Sequence, residues 1–302
     1  MRWEKGAALV AGLLASAALL AACGAAGQPS ASTSGQQSAA ELAEQWDAIQ
    51  MLPQSLRDSG ELRVGVALSN PPSAYYDKST GALTGFDIEL SEALGQVLGL
   101  GEITYVPVAF SRILSHLGTD YDLGAAFTAV TGPRMGMANF VTYAETGSAF
   151  AVKPQNPHGF QPSSPCGDKV AVQSDTVQQD QLDLLAAECL RAGKEQIEVV
   201  PRTDVEGVLQ ALSEDAAVAI YWDSLVLQYF SEQPGYRLMQ VGETVEVGPI
   251  GLTISIEDPQ LTVAVQAALQ HLMDEGVIES IFARYGNPQG ALKTATINSR
   301  SH

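Results

Sequence analysis

The sequence predicts an α/β protein: two α/β units of similar plan, each a mainly parallel sheet flanked by helices. Three observations carry this reading. Over residues 61–128, short strand-length runs alternate with runs of helical spacing in the order β-α-β-α-β. The same order recurs over residues 169–222. At 302 residues and 46% apolar content, the chain can bury a large core, in one large domain or two moderate ones.

The first segment reads as targeting rather than fold. Arg2 and Lys5 precede an apolar run over residues 7–22 that ends "LLAACG" and is too short for a comfortable membrane span. The small residues before Cys23 resemble the lipobox of bacterial lipoproteins, in which the cysteine thiol is acylated and becomes the new N-terminus. Several acyl chains, at roughly 0.8 kcal/mol per buried CH₂, give lasting attachment to a membrane. Residues 1–22 are then a signal peptide and 23–45 a lipid-anchored tether, rich in Gly, Ser, Gln and Ala.

The structured elements follow. "ELRVGVAL" (61–68) alternates Leu62, Val64, Val66 and Leu68 as a strand does, and a Pro-Pro turn ends it. "GFDIELSEALGQVLGL" is a helix with Asp87 as its expected N-cap and Leu90, Leu94, Val97 and Leu98 on one face. "ITYVPV" (103–108) is a strand, "FSRILSHL" (110–117) a short helix and "YDLGAAFT" (121–128) a strand. In the second unit "KVAVQ" (169–173) leads into a helix over about 177–191. "IEVVP" is the next strand, Asp204 opens the helix "DVEGVLQALSE", and "AAVAIYW" (216–222) closes the unit. Asp258-Pro259 starts a long helix striped by Leu261, Val265, Leu269 and Leu272, Gly276 ends it, and "VIESIFARYG" is the last helix.

Composition excludes several functions. With 34 acidic and 16 basic side chains, a net charge of −18, the chain has nothing to displace counterions from nucleic acid. The acidity reads as a solvated surface that keeps the protein soluble. Outside the cytoplasm Cys166 and Cys189 are expected to form a disulfide rather than two free thiols, worth about 3 kcal/mol. No zinc spacing, phosphate-binding glycine loop or Gly-x-Ser-x-Gly occurs, so no metal or cofactor is expected.

Polar residues gather where ligands sit in open parallel sheets, beyond the carboxyl ends of strands. "FTAVTGPR" follows the third strand of the first unit, "VQSDTV" the first of the second unit, and "YWDSL" the last. Arg134 can hold a carboxylate bidentately and Thr128 can add a hydroxyl. The free N–H groups at the helix start near Thr176 favour the same anion. Asp223 can hold an ammonium, so the set suits an α-amino acid zwitterion. Each has a plainer reading: Asp223 and Thr176 as helix N-caps, Arg134 as a surface side chain.

In order along the chain, "LRVGVALSNPPSAYYDKSTGALTGFDIELSEAL", "YDLGAAFTAVTGPR", "FVTYAETGSAFAVKPQNP", "CGDKVAVQSDTVQQD", "AAVAIYWDS", "GPIGLTISIEDPQL" and "GVIESIFARYG" resemble the extracytoplasmic solute-binding proteins, family 3, of polar amino acid ABC transporters. The resemblance covers about residues 60–298. It implies a type II, periplasmic-binding-protein-like clamp of two lobes, lobe 1 from 46–148 plus 250–302 and lobe 2 from 149–249. The chain crossings near 147–152 and 247–253 would form its hinge. It implies Arg134 on the ligand's carboxylate with Thr128 assisting, Thr176 donating from the other lobe and Asp223 on the amine. An ABC permease with its ATPase would be the partners of a lipid-anchored, extracytoplasmic monomer without enzyme activity.

Departures from the family pattern bear on the substrate. Asn70 stands where an aromatic is common, Ala67 and Ala74 where acids are, and Ala125-Ala126 where Ser-Ser is. Asp175 replaces a glycine, and one extra residue is expected between Thr128 and Arg134. Loss of the acids weakens a lysine- or arginine-like substrate, and Tyr75, Tyr76 or Trp222 could fill the room left by the aromatic. Two rival readings remain. One is a sensor or accessory protein that kept the clamp. The other is a cyclohexadienyl dehydratase-like enzyme with Glu145 or Asp175 as its acid.

Overall fold

The computed structural model describes residues 47–299 apart from Ser69. The expected signal peptide, the expected tether and the expected lipidation site, Cys23, lie outside the described residues. In chain order the elements are α1 (Gln54–Ser59), β1 (Glu61–Val66), β2 (Tyr75–Tyr76), β3 (Leu83–Thr84), α2 (Phe86–Val97), β4 (Glu102–Pro107) and β5 (Leu123–Ala129). Then come α3 (Gly132–Met135), β6 (Ala138–Val152), β7 (Lys169–Gln173), α4 (Val177–Arg191), β8 (Glu198–Arg202) and α5 (Val205–Ser213). The chain finishes with β9 (Ala219–Asp223), α6 (Ser224–Glu232), β10 (Met239–Ser255), α7 (Pro259–Asp274) and α8 (Val277–Arg284).

Both predicted parallel units are present. β1 lies parallel between β4 and β5, and β7 parallel between β8 and β9. They are not separate sheets, however. Two long strands, β6 and β10, pair antiparallel with each other and with β9 and β5, giving one mixed sheet in the order β4-β1-β5-β10-β6-β9-β7-β8. The β6–β10 ladder slips register between Val241 and Val245, between Val245 and Gly248 and between Ile250 and Gly251, as bulged strands do where they bend. The main buried cluster runs from Leu62 and Leu94 to Ile220 and Phe230, and a second gathers Val172, Leu182 and Cys189.

Several local expectations hold for the reasons given. Asp204 caps α5 through Gly207 N at 2.8 Å, and Asp258 caps α7 through Leu261 N at 2.9 Å with Pro259 behind it. Gly276 takes the left-handed conformation, φ 69°, between α7 and α8. Cys166 and Cys189 are bonded, with Cα atoms 5.6 Å apart. Reducing that bond is expected to cost about 3 kcal/mol of stability, because it closes a loop over a separation of 23 residues. Denaturant melts with and without dithiothreitol measure this, and ligand affinity in native buffer should not change.

Two expectations fail, each for a visible reason. The helix at 110–117 shrinks to a 3₁₀ turn at Phe110–Arg112. The carbonyls that would continue it are taken by side chains: Tyr121 Oη donates to Ile113 O at 2.8 Å and Ser115 Oγ to Arg112 O at 2.9 Å. Asp87 is not the cap of α2. That place belongs to Gly85, whose φ of 129° and close approach to Ser73 O leave no room for a Cβ.

Asp87 instead turns inward, fully buried. Its carboxylate accepts from Ser73 Oγ and Tyr143 Oη, both at 2.6 Å, and from Phe127 N at 2.9 Å. Burial pushes the carboxyl up to about 6 against the pull of those three donors. One side chain thus ties the loop after β1, the end of β5 and strand β6 together. Replacing Asp87 with alanine orphans all three donors and is expected to cost at least about 2 kcal/mol, seen as a lower denaturant midpoint.

Candidate functional site

The carboxyl ends of β5, β7 and β9 converge on one gap, and each delivers polar groups to it. After β5 the chain turns into the single-turn helix α3, with Thr131 as its cap and Pro133 in its first turn. This places Arg134 in the gap. Its Nη1 donates to Ala129 O at 3.1 Å, on its own side, and its Nη2 to Asp175 O at 3.0 Å, after β7. The guanidinium carbon lies 5.6 Å from the centre of the Phe110 ring. Burial lowers the Arg134 pKa, opposed by the negative charges of Asp180, Asp223 and Asp175.

Asp223 ends β9 and occupies the N-cap position of α6, yet its side chain caps nothing. Its Oδ1 accepts from Gln178 Nε2 at 3.2 Å, and the same amide reaches Ser148 Oγ at 3.1 Å. Burial pushes the Asp223 carboxyl up to about 7, opposed by the Gln178 bond and the charge of Arg134. Arg134, Asp223, Asn70, Phe110, Trp222 and Thr176 all line one small central cavity of about 20 Å³.

The other candidates fall less simply. Thr176 lines the cavity, but its hydroxyl donates to Gln173 O at 2.7 Å and accepts from Gln179 N at 3.2 Å, so it is the cap of α4. Thr128 is buried, its Oγ1 has no hydrogen-bond partner among the described residues, and it is outside the lining that Ala126, Phe127 and Ala129 form. The cause is a bulge in β5. Gly251 and Thr253, two apart, pair with Thr128 and Gly124, four apart, and Phe127 takes a positive φ of 49°.

Larger spaces adjoin the centre. A cavity of about 330 Å³ shares Asn70, Phe110 and Gln173 with it, and one of about 160 Å³ shares Ala129, Gln178 and Asp223. Tyr75 and Tyr76 line a separate cavity with Tyr229, whose hydroxyl donates to that of Tyr75 at 3.2 Å. Glu145 is exposed on β6 and lines none of these. Sequence reasoning missed Phe110, Gln178 and the inward Asp87. Phe110 carried a usable signal, an aromatic just past the carboxyl end of β4. A glutamine in the first turn of a helix carries none.

Comparison with known proteins shows a family and a fold. Residues 62–288 match the bacterial extracellular solute-binding proteins, family 3. The arginine-binding protein ArgT of Corynebacterium glutamicum is 31% identical over 253 residues, 83% of this chain and 82% of that protein. An ancestral arginine-binding protein solved with arginine bound is similar at a TM-score of 0.66 and 26% identity, over 75% of this chain and 98% of its own. The ancestral amino acid-binding protein AncCDT-1, a precursor of cyclohexadienyl dehydratase, gives 0.64 at 25% identity, over 76% of this chain and 97% of its own.

Proposed function

Since this chain belongs to family 3 of the bacterial extracellular solute-binding proteins, we propose that it captures an α-amino acid between Arg134 and Asp223 for an ABC importer. Its fold is of the type II periplasmic-binding-protein kind. The observation that carries the reading is one fixed cation and one carboxylate in the lining of a single cavity. The ligand's carboxylate takes further N–H groups of the guanidinium, and its ammonium takes Asp223. Micromolar affinity needs about −8 kcal/mol, within reach of two such charged contacts and several neutral ones.

Lobe 1 is 46–148 with 250–302, and lobe 2 is 149–249. The register slips in β6–β10 support a hinge near 147–152 and 247–253. Ligand contacts from both lobes favour the closed form, which the permease and its ATPase read. Cys23 anchors the monomer to the outer face of the membrane through its tether.

Arginine heads the ligands to test, since the relatives bind it. Capture without turnover is supported by those relatives, which are binding proteins. A thermal-shift screen against the amino acids tests the proposal: at least one should raise the melting temperature by several degrees. A chain that none of them stabilises would be the accessory protein instead.

A further inference from the structure

We propose that Asp175 selects the side chain of the captured amino acid and favours a cationic one; this rests on the amino acid reading above. With the two charged ends held by Arg134 and Asp223, the side chain has the 330 Å³ cavity beside Phe110 to enter. The wall from the first half of the chain, including Ala67, Leu68, Val108 and Asn70, carries no charge. The facing wall carries two carboxylates, Asp175 and Asp204. Asp204 is occupied as the cap of α5, accepting from Gly207 N. Asp175 has no hydrogen bond or ion pair on its carboxylate among the described residues.

The backbone at this position is itself held, with the exposed side chain on the cavity wall. Asp175 sits at φ 63°, where glycine is at ease and a side chain is not. It is fastened from both directions: its N–H donates to Gln179 Oε1 at 2.9 Å and its carbonyl accepts from Arg134 Nη2 at 3.0 Å. A strained residue fixed beside a binding groove is a place where function is expected to account for the strain. A guanidinium or ammonium entering this cavity meets the carboxylate of Asp175. An anionic side chain is repelled. The acid is supplied by the second half of the chain, whereas the first half offers none to this cavity.

Asp175→Gly and Asp175→Asn test this by calorimetry with arginine, glutamine and glutamate. Glycine relaxes the backbone at this φ, so that variant keeps its fold. Wild type should bind arginine at least tenfold tighter than glutamine, and glutamate weakest. Both variants should lose about tenfold for arginine, while glutamine stays level or tightens because a charge opposing its carboxylate is gone. Equal loss for arginine and glutamine, or no loss for arginine, overturns the assignment of Asp175 and leaves the amino acid reading standing. If wild type binds none of the amino acids, the broader reading falls first.

Discussion

Arg134→Ala is expected to weaken amino acid binding at least a hundredfold while the protein stays folded. The guanidinium is the cation among the residues lining the central cavity, and a carboxylate placed there has no other charged donor. Truncating one side of a desolvated ion pair costs about 3 kcal/mol or more, since it also strands the partner charge. The fold loses far less. Among the described residues the Arg134 guanidinium donates only to the carbonyls of Ala129 and Asp175, and the cap of α3 is Thr131, which the backbone N–H at position 134 reaches in any variant. Arg134→Lys keeps the charge but not the planar fork, so its affinity should lie between the two. Calorimetry with circular dichroism on the same samples reads both quantities.

Asp223→Asn is expected to be as damaging to binding, and it carries a pH signature. Burial holds the Asp223 carboxyl near 7 in the empty cleft, and an incoming ammonium requires it ionised. Below that pH the ligand must displace a proton, so affinity should fall by up to tenfold per pH unit and level off above it. The ligand's own ends do not titrate between pH 5 and 8. The asparagine variant should bind weakly with a flat profile.

The stability sign runs the other way. A carboxyl raised in the fold binds its proton more tightly than in the unfolded chain. Its contribution is complete below the unfolded value near 4 and is lost as pH rises to about 7. At pH 8 the empty asparagine variant should therefore melt higher than the empty wild type. Binding and stability would part company at one residue.

Much of this was legible in the residues because it is local. Alternation in 61–68 gave β1, Asp204 and Asp258 gave helix starts, and charges past strand ends pointed to Arg134 and Asp223, which line one cavity. What was not legible depends on distant pairing. β6 is buried along almost its whole length, so it shows no alternation, and its partner β10 lies about a hundred positions away. Nothing local announces that they fuse two sheets. The place of Thr128 outside the cavity lining has a related reason: a bulge in β5 shifts which residues face the cavity, and only the pairing with β10 reveals it. Asp87 precedes a helical run as a cap does, and only the contact of Gly85 with Ser73 moves the cap back.

The two-ended grip is tested most directly by calorimetry of wild type with the best-bound amino acid, its carboxamide and its N-acetyl derivative. The carboxamide removes the anion that Arg134 would hold, and acetylation removes the cation that Asp223 would hold. Each change should weaken binding at least about a hundredfold. Either derivative binding as tightly as its parent would contradict the account.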